Sequence, residues 1–466
     1  MDLLFNYLVK HFLVHTVFKQ SLYTINPTKF MQHTAVRQPV YILLGTILSL
    51  SFISLLSVKK IFPPFIKEIN IFSELKKDAP STLSTEKIAE KDNDNSTTEI
   101  NTKSNRLDIQ NFGLQNNNYA LFKNKLKNIG KVKSKVRIAY LGDSFIESDL
   151  ITNDLRQLLQ QKYGGSGIGY ISINTVSPGL NKSIEQSFSN NWQNYNVHYN
   201  SNNKMLGLAG YAFEANENST VNFKTKKPNS KFSEVYLWYG ANATGLPVEI
   251  IADSVTVNAT MPVAEKILNK EKIVLPQSNS LQVKFSKSNT LLYGFSFEDS
   301  TGVYIDNYSL RGSNGTQLLK MDSNYMQALT AMQQYDLVIL HYGVNVIGNN
   351  NTNFDWYKIG LHKTIAWAKN NFKDAAILLI STSDKSTKTN GIYQTDKGVP
   401  ILVDLQNEFA QKNNISFWNL YQNMGGENSM VDWVNKPEPY ANKDYTHITF
   451  KGAATIAQLL YKQLSN

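Results

Sequence analysis

Four side chains of this sequence could together cleave an ester. Ser144 stands in "IAYLGDSFIESD", after an apolar run that reads as a buried strand and before a helical pattern. A serine hydroxyl becomes a nucleophile once a base takes its proton. Gly142 permits a tight turn there, and a helix start points backbone N–H groups at the serine's surroundings. His447, in "NKDYTHITFKG", is the candidate base. Asp444, three residues earlier, could hold one ring nitrogen and stabilise the imidazolium, leaving the other nitrogen for Ser144. Asn345, in "LHYGVNV", follows a second apolar strand, with Gly343 to turn the chain. Its amide can donate to a developing oxyanion. Singly, each has a plainer explanation: an N-cap at Asp143 or Ser144, a solvated turn at Asp444 and His447, ordinary Gly–Asn turn chemistry at Asn345. Jointly they point to acyl transfer, because each falls at a strand end or just before a helix.

Those positions presuppose an alternation of strands and helices. Strands are predicted at Arg137–Gly142, Tyr335–Gly343, Ala375–Ser381 and Ile415–Leu420, and helices over Asp149–Tyr163, Asp355–Phe372, Ile401–Gln411 and Ala453–Leu464. A short Lys-rich helix is marked by Leu121, Leu126 and Ile129. Apolar strands alternating with amphipathic helices imply a parallel sheet covered on both faces, an α/β fold. The stretch from Gly207 to Asp299 breaks the rhythm with short β-branched and aromatic runs, such as "EVYLWYG" and "LQVKFS", and reads as an inserted β-sandwich.

On these residues the sequence resembles the SGNH (GDSL-type) hydrolase family. Gly142-Asp143-Ser144 matches the family's first block, Gly343-x-Asn345 its third, and Asp444-x-x-His447 its fifth. The resemblance covers roughly 137–180 and 300–465. It implies a flavodoxin-like three-layer α/β/α domain, a triad of Ser144, His447 and Asp444, and an oxyanion hole. The donors implied are the Ser144 N–H, a second-block glycine N–H and the Asn345 amide. For that glycine Gly312 is chosen, from "GVYIDNYSLRGSNG"; Gly210 is the runner-up and Gly315 also fits. The helix after the first block and the β-insert before the second are similar to the peptidoglycan O-acetylesterase branch, whose inserted domain resembles a carbohydrate-binding module. Phe145 departs from that branch, where a His is frequent, and the difference bears on the substrate more than on the chemistry. Tyr236, Trp238 and Tyr239 of the insert could stack on sugars or could be alternating core and surface positions of one strand. Glu147 and Asp306 could line the pocket or serve structural roles.

Composition excludes several other chemistries. There is no cysteine, hence no disulfide, thiolate zinc site, iron–sulfur cluster or Cys nucleophile. His11, His15 and His33 are too scattered for a metal site, and His198, His341 and His362 lack partners at ligand spacing. "GGSGIG" (Gly164–Gly169) follows a helix rather than a strand and reads as a loop. The proposed chemistry calls for neither metal nor cofactor. The net charge of +10 suggests a polyanion partner, but residues 1–137 hold 20 Lys+Arg against 10 Asp+Glu, and residues 138–466 hold 27 of each. The neutral body argues against nucleic acid as partner.

The N-terminal third reads as an anchor. Residues 1–38 contain an apolar stretch broken by Lys10, His11 and His15, similar to an amphipathic surface helix. Val40–Val58 carries no charge and, at about 1.5 Å per residue, just spans a bilayer core; residues 39–59 are the expected transmembrane helix. Tyr41, Lys59 and Lys60 suit its interfaces. Basic residues on both flanks (Lys29 and Arg37; Lys59, Lys60 and Lys67) give no clear vote on orientation, or a weak one against an exported C-terminus. Residues 60–112 read as a disordered linker; from about Ser73 to Asn111 the chain turns polar, a tether of about 40 residues that spans roughly 35 Å. The remaining boundaries are 113–206 and 301–466 for the two parts of the hydrolase domain and 207–300 for the insert. The sequence-level expectation is a membrane-anchored esterase facing the periplasm or exterior, acting on an O-acylated envelope glycan, with no obligate protein partner evident. An O-acetyltransferase using the same residues, or a non-catalytic glycan-binding protein, are the alternatives.

Overall fold

The computed structural model describes residues 107–113, 117–199, 201, 203–226 and 231–465. The expected N-terminal segment, transmembrane helix and most of the linker, and with them His11, His15 and His33, lie outside the described residues. Among those described, no helix is long and apolar enough to cross a membrane.

The chain begins with β1 (Gln110–Asn111), α1 (Asn118–Val132), β2 (Lys135–Gly142) and α2 (Thr152–Tyr163). A run of strands follows: β3 (Gly169–Ser172), β4 (Ile184–Phe188), β5 (Gln193–Asn196), β6 (Tyr211–Glu214), β7 (Ser219–Thr225), β8 (Glu234–Tyr239), β9 (Leu246–Ala252), β10 (Val255–Met261), β11 (Asn269–Ile273), β12 (Ser280–Phe285) and β13 (Leu292–Glu298). Strand–helix alternation then resumes with β14 (Gly302–Ser309), α3 (Ser323–Gln333), β15 (Leu337–His341), α4 (Asp355–Asn371) and β16 (Ala376–Ile380). A hairpin of β17 (Ser386–Thr389) and β18 (Ile392–Thr395) precedes α5 (Gly398–Lys412), β19 (Ser416–Trp418), α6 (Leu420–Met424), α7 (Ser429–Asn435) and α8 (Phe450–Ser465).

The central sheet runs β1-β19-β16-β15-β2-β14, parallel throughout except for β1. Counted along the chain, its five parallel strands take the flavodoxin-like order 2-1-3-4-5, which places a topological switch at β2. Alternation along β2 sends Val136, Ile138 and Tyr140 to one face, against α1, α2 and α8, and Ala139 and Leu141 to the other, against α3, α4 and α5. These are the three layers α/β/α. In register, Ser309 and His341 both lie opposite Gly142. The segments that follow β14, β2 and β15 therefore leave the sheet side by side.

The β-rich part forms two antiparallel sheets, β10-β9-β12-β7-β4 and β11-β8-β13-β6-β5, with β3 paired to β13. Phe223, Phe295, Phe297 and Leu237 fill the space between them. Strands β3, β4 and β5 belong to these sheets, so the sandwich begins well before residue 207. Residues of β4 and β5 ("IEQSF", "QNYN") are mostly polar and pair through backbone. The linker likewise ends earlier than residue 112. Strand β1 pairs with the edge strand β19, and the Trp418 indole donates to the Leu107 carbonyl at 3.1 Å. Such pairing covers an otherwise open sheet edge.

Charged groups join sandwich to central sheet. Glu298 on β13 accepts from Arg137 (2.6 Å) and Lys135 (2.8 Å) on β2. Burial disfavours its ionisation, but Arg137 and Lys270 hold its carboxyl well below the usual range.

Candidate active site

Ser144 lies two residues beyond the end of β2, at the switch point. Its turn is built by Asp143, whose Oδ1 accepts the Phe145 N–H at 3.0 Å. The Ser144 hydroxyl caps no helix; it lies 3.2 Å from His447 Nε2. The sequence pattern places the next helix from about Asp149. Instead a single tight turn, Glu147–Asp149, intervenes, and α2 starts only at Thr152. Ser148, Asp149 and Ile151 all have positive φ (52°, 69° and 59°), a conformation that side chains with a Cβ resist. A buried fork holds this loop: both Arg156 Nη atoms donate to Asp149 at 2.7 Å, and the Thr152 hydroxyl adds 2.6 Å. Sequence reasoning missed Asp149 and Arg156 as supports; a pair seven residues apart carries no motif.

His447 and Asp444 come from a loop closed by the Asn442 N–H on the His447 carbonyl at 2.7 Å. Asp444 Oδ2 lies 2.7 Å from His447 Nδ1, while Oδ1 accepts the N–H groups of Thr446 (3.0 Å) and His447 (2.9 Å). Burial works against the charge of Asp444, yet the His447 and Thr446 hydrogen bonds outweigh it and lower the carboxyl's pKa. The aspartate is thus fixed as an ionised acceptor, which leaves Nε2 to face the serine.

Asn345 follows β15 through Gly343, whose φ is +146° and where a Cβ would come 2.6 Å from Thr382 Cβ. Both hydrogens of the Asn345 amide are engaged, with Asp143 Oδ2 at 3.0 Å and the Ser313 carbonyl at 2.9 Å. Donation to an oxyanion would therefore share or exchange one of these bonds. The three candidate glycines differ in what their N–H groups do. That of Gly210 donates to Gly207 at 2.8 Å and that of Gly315 to Ser313 Oγ at 3.0 Å. Gly312, with φ +74°, sits directly before Ser313. Its N–H, like that of Ser144, meets no protein acceptor among the described residues.

Other candidates resolve differently. Glu147 is buried, bound by Arg311 Nε (2.6 Å) and Ser177 Oγ (2.8 Å), and lines a cleft of about 80 Å³ with Arg311, Asn307 and Tyr211. Asp306 serves a structural role. It is fully buried and accepts from the Tyr170 N–H and the Tyr335 hydroxyl. Phe145 turns inward and packs edge-on against His341. His341 is itself buried, and desolvation lowers its pKa to about 3. Trp238 and Tyr239 are core residues and cannot stack on a sugar; Tyr236 is half-buried, with Lys270 over its ring. No three His, Asp or Glu side chains among the described residues converge as metal ligands would.

The fold is that of the SGNH (GDSL-type) hydrolases, and within it His447 reaches Ser144 while Asn345 reaches the neighbouring Asp143. The chain is similar to a solved peptidoglycan O-acetylesterase at 22% identity, with a TM-score of 0.63, over 76% of this chain and 97% of that one. It also matches an acetyl xylan esterase (17% identity, TM-score 0.28, 34% of this chain and 80% of that one) and a family two carbohydrate esterase from Cellvibrio japonicus (11%, TM-score 0.24, 60% and 97%). Those two likenesses are too distant to carry weight. No protein-family model and no curated protein matches the sequence.

Proposed function

We propose that this protein is a serine esterase that removes O-acetyl groups from an envelope glycan such as peptidoglycan. The observation that carries the reading is the continuous chain from Ser144 Oγ to His447 Nε2 (3.2 Å) and from His447 Nδ1 to Asp444 (2.7 Å). In this scheme Nε2 takes the Ser144 proton as Oγ bonds to the acetyl carbonyl carbon. The resulting oxyanion draws on the N–H groups of Ser144 and Gly312 and on the Asn345 amide. The imidazolium then gives its proton to the departing sugar oxygen as the carbon–oxygen bond breaks. Water, deprotonated by the same nitrogen, attacks the acetyl-serine and releases acetate and free Ser144.

The choice of a glycan ester is supported by the likeness to the O-acetylesterase, which extends over 76% of this chain. The charge-free run at 40–58 supports an anchor in a membrane, with the esterase domain on the outer side, where such a glycan lies. Acetate release by the full-length protein from O-acetylated peptidoglycan and from a small aryl acetate tests the reading, with Ser144→Ala and His447→Ala as controls. Release by the wild type alone supports it. Equal release by all three removes the triad; turnover of the aryl ester alone removes the glycan.

A further inference from the structure

The residues that follow β16 touch both loops on which the site depends. Lys385 Nζ donates to the carbonyls of Val344 (3.3 Å) and Ile347 (2.7 Å), which bracket Asn345. The next N–H, of Ser386, donates to the Tyr445 carbonyl at 3.0 Å. Tyr445 stands between Asp444 and His447 with φ +55°. An aromatic residue in that conformation is strained, so neighbouring contacts must hold it. One is visible: its ring stacks on Tyr393, centroids 3.7 Å apart and planes 10° from parallel.

The segment has its own anchor. Buried Asp384 accepts the Met430 N–H at 2.7 Å, the Thr395 hydroxyl at 3.1 Å and the Lys385 N–H at 2.9 Å. These bonds tie the end of β16 to α7 and to the hairpin that carries Tyr393. The hairpin closes through a tight turn. Asn390 and Gly391 both have positive φ (51° and 84°), the two-residue turn that matches strand twist.

We propose that residues 384–386 and the β17–β18 hairpin clamp the Asn345 turn against the Asp444–His447 loop, with Lys385 and Tyr393 as positioning residues. Neither needs to touch substrate. The inference rests on the esterase reading of Ser144, His447 and Asp444. Its physical basis is that the proton acceptor and the oxyanion donor come from segments about a hundred residues apart and must be aligned closely, since a displacement of ~1 Å costs about a hundredfold in rate.

The test uses the full-length protein and its Lys385→Met, Lys385→Arg and Tyr393→Ala variants. A small aryl acetate is the substrate, and the proton on His447 Nδ1 is followed by NMR. In Lys385→Met, kcat is expected to fall about a hundredfold with KM unchanged, and the His447 resonance to shift or broaden. Lys385→Arg should recover most of both. A Lys385→Met enzyme with wild-type kcat and an unmoved resonance overturns the clamp. Should that variant fail to fold, Tyr393→Ala, which removes a surface ring, is read in the same way. A wild type with no esterase activity defeats the esterase reading alone. The clamp is then decided by whether the His447 resonance moves in the variants.

Discussion

Asn345 donates its amide to Asp143 across 3.0 Å, joining the turn after β15 to the turn that carries Ser144. The second amide hydrogen reaches the Ser313 carbonyl, one residue from Gly312. One side chain thus ties together the three segments that leave the sheet at its switch point. In the proposed reaction the oxyanion donor and the structural tie are the same group.

Asn345→Ala should reveal both roles. Loss of an oxyanion donor lowers kcat by roughly 10²–10³ with little change in KM. Two acceptors left without their donor cost about 1–3 kcal/mol of stability. Steady-state kinetics with an aryl acetate and a urea titration separate the two. A stability loss with unchanged kcat would leave Asn345 as a tie alone.

Asp444→Asn should keep the loop and lose the rate. Oδ1 receives the Thr446 and His447 N–H groups, and an asparagine oxygen can still do so. The other position becomes an NH₂ facing His447 Nδ1, which favours the wrong tautomer. A drop in kcat of about 10⁴ follows by analogy with serine proteases. An unaltered melting temperature with that drop is the expected pair of results.

Gly312 and Gly343 should respond differently to alanine. At Gly312 an added Cβ meets nothing within 4 Å, so the cost is that of a positive φ, about 1–2 kcal/mol. At Gly343 the Cβ would also press on Thr382 at 2.6 Å, which adds about 1–3 kcal/mol of overpacking. Chemical denaturation of the two variants gives the order directly, and equal losses would contradict the geometry.

Asp143 predicts a pH dependence. Burial pushes its carboxyl from 3.8 up to about 7, against the Phe145 and Asn345 hydrogen bonds and the attraction of His447. Between those values the folded chain binds more protons than the unfolded one, so this group's contribution falls as pH rises. It is full below the lower value and lost above the upper. Asp143→Asn removes the titration. The stability difference, wild type minus variant, should therefore shrink as pH rises through the window, and a difference flat in pH would contradict the burial argument.

Much of this arrangement is legible in the amino-acid sequence. Apolar strands ending in Gly-Asp-Ser and Gly-x-Asn, with Asp-x-x-His before the last helix, indicate the parallel sheet and the four residues at its edge. The misses share a physical cause. Strands β1, β4 and β5 are short and polar, and exist because their backbones find partners, which a hydrophobic pattern does not record. The left-handed residues 148, 149, 151 and 445 are not glycines, so composition carries no sign of them; Asp149 is held by Thr152 and Arg156, and Tyr445 by Ser386 and Tyr393, in pairings that no motif records. The Asn390-Gly391 pair is a readable hairpin signal, and it marks an element near His447 that patterning alone could have added. In the sequence Trp238 and Tyr239 are open to two readings, sugar stacking or alternating core and surface positions of one strand, and burial puts both in the core.

The most direct test of the account is to find the acyl group on its acceptor. Full-length protein is mixed with O-acetylated peptidoglycan, quenched in acid within the first turnovers, digested, and the peptide containing Ser144 weighed by mass spectrometry. The expected result is an acetyl adduct on Ser144 that decays as acetate appears and is absent from Ser144→Ala. Acetate release with no adduct on Ser144, or an undiminished rate in Ser144→Ala, would contradict it.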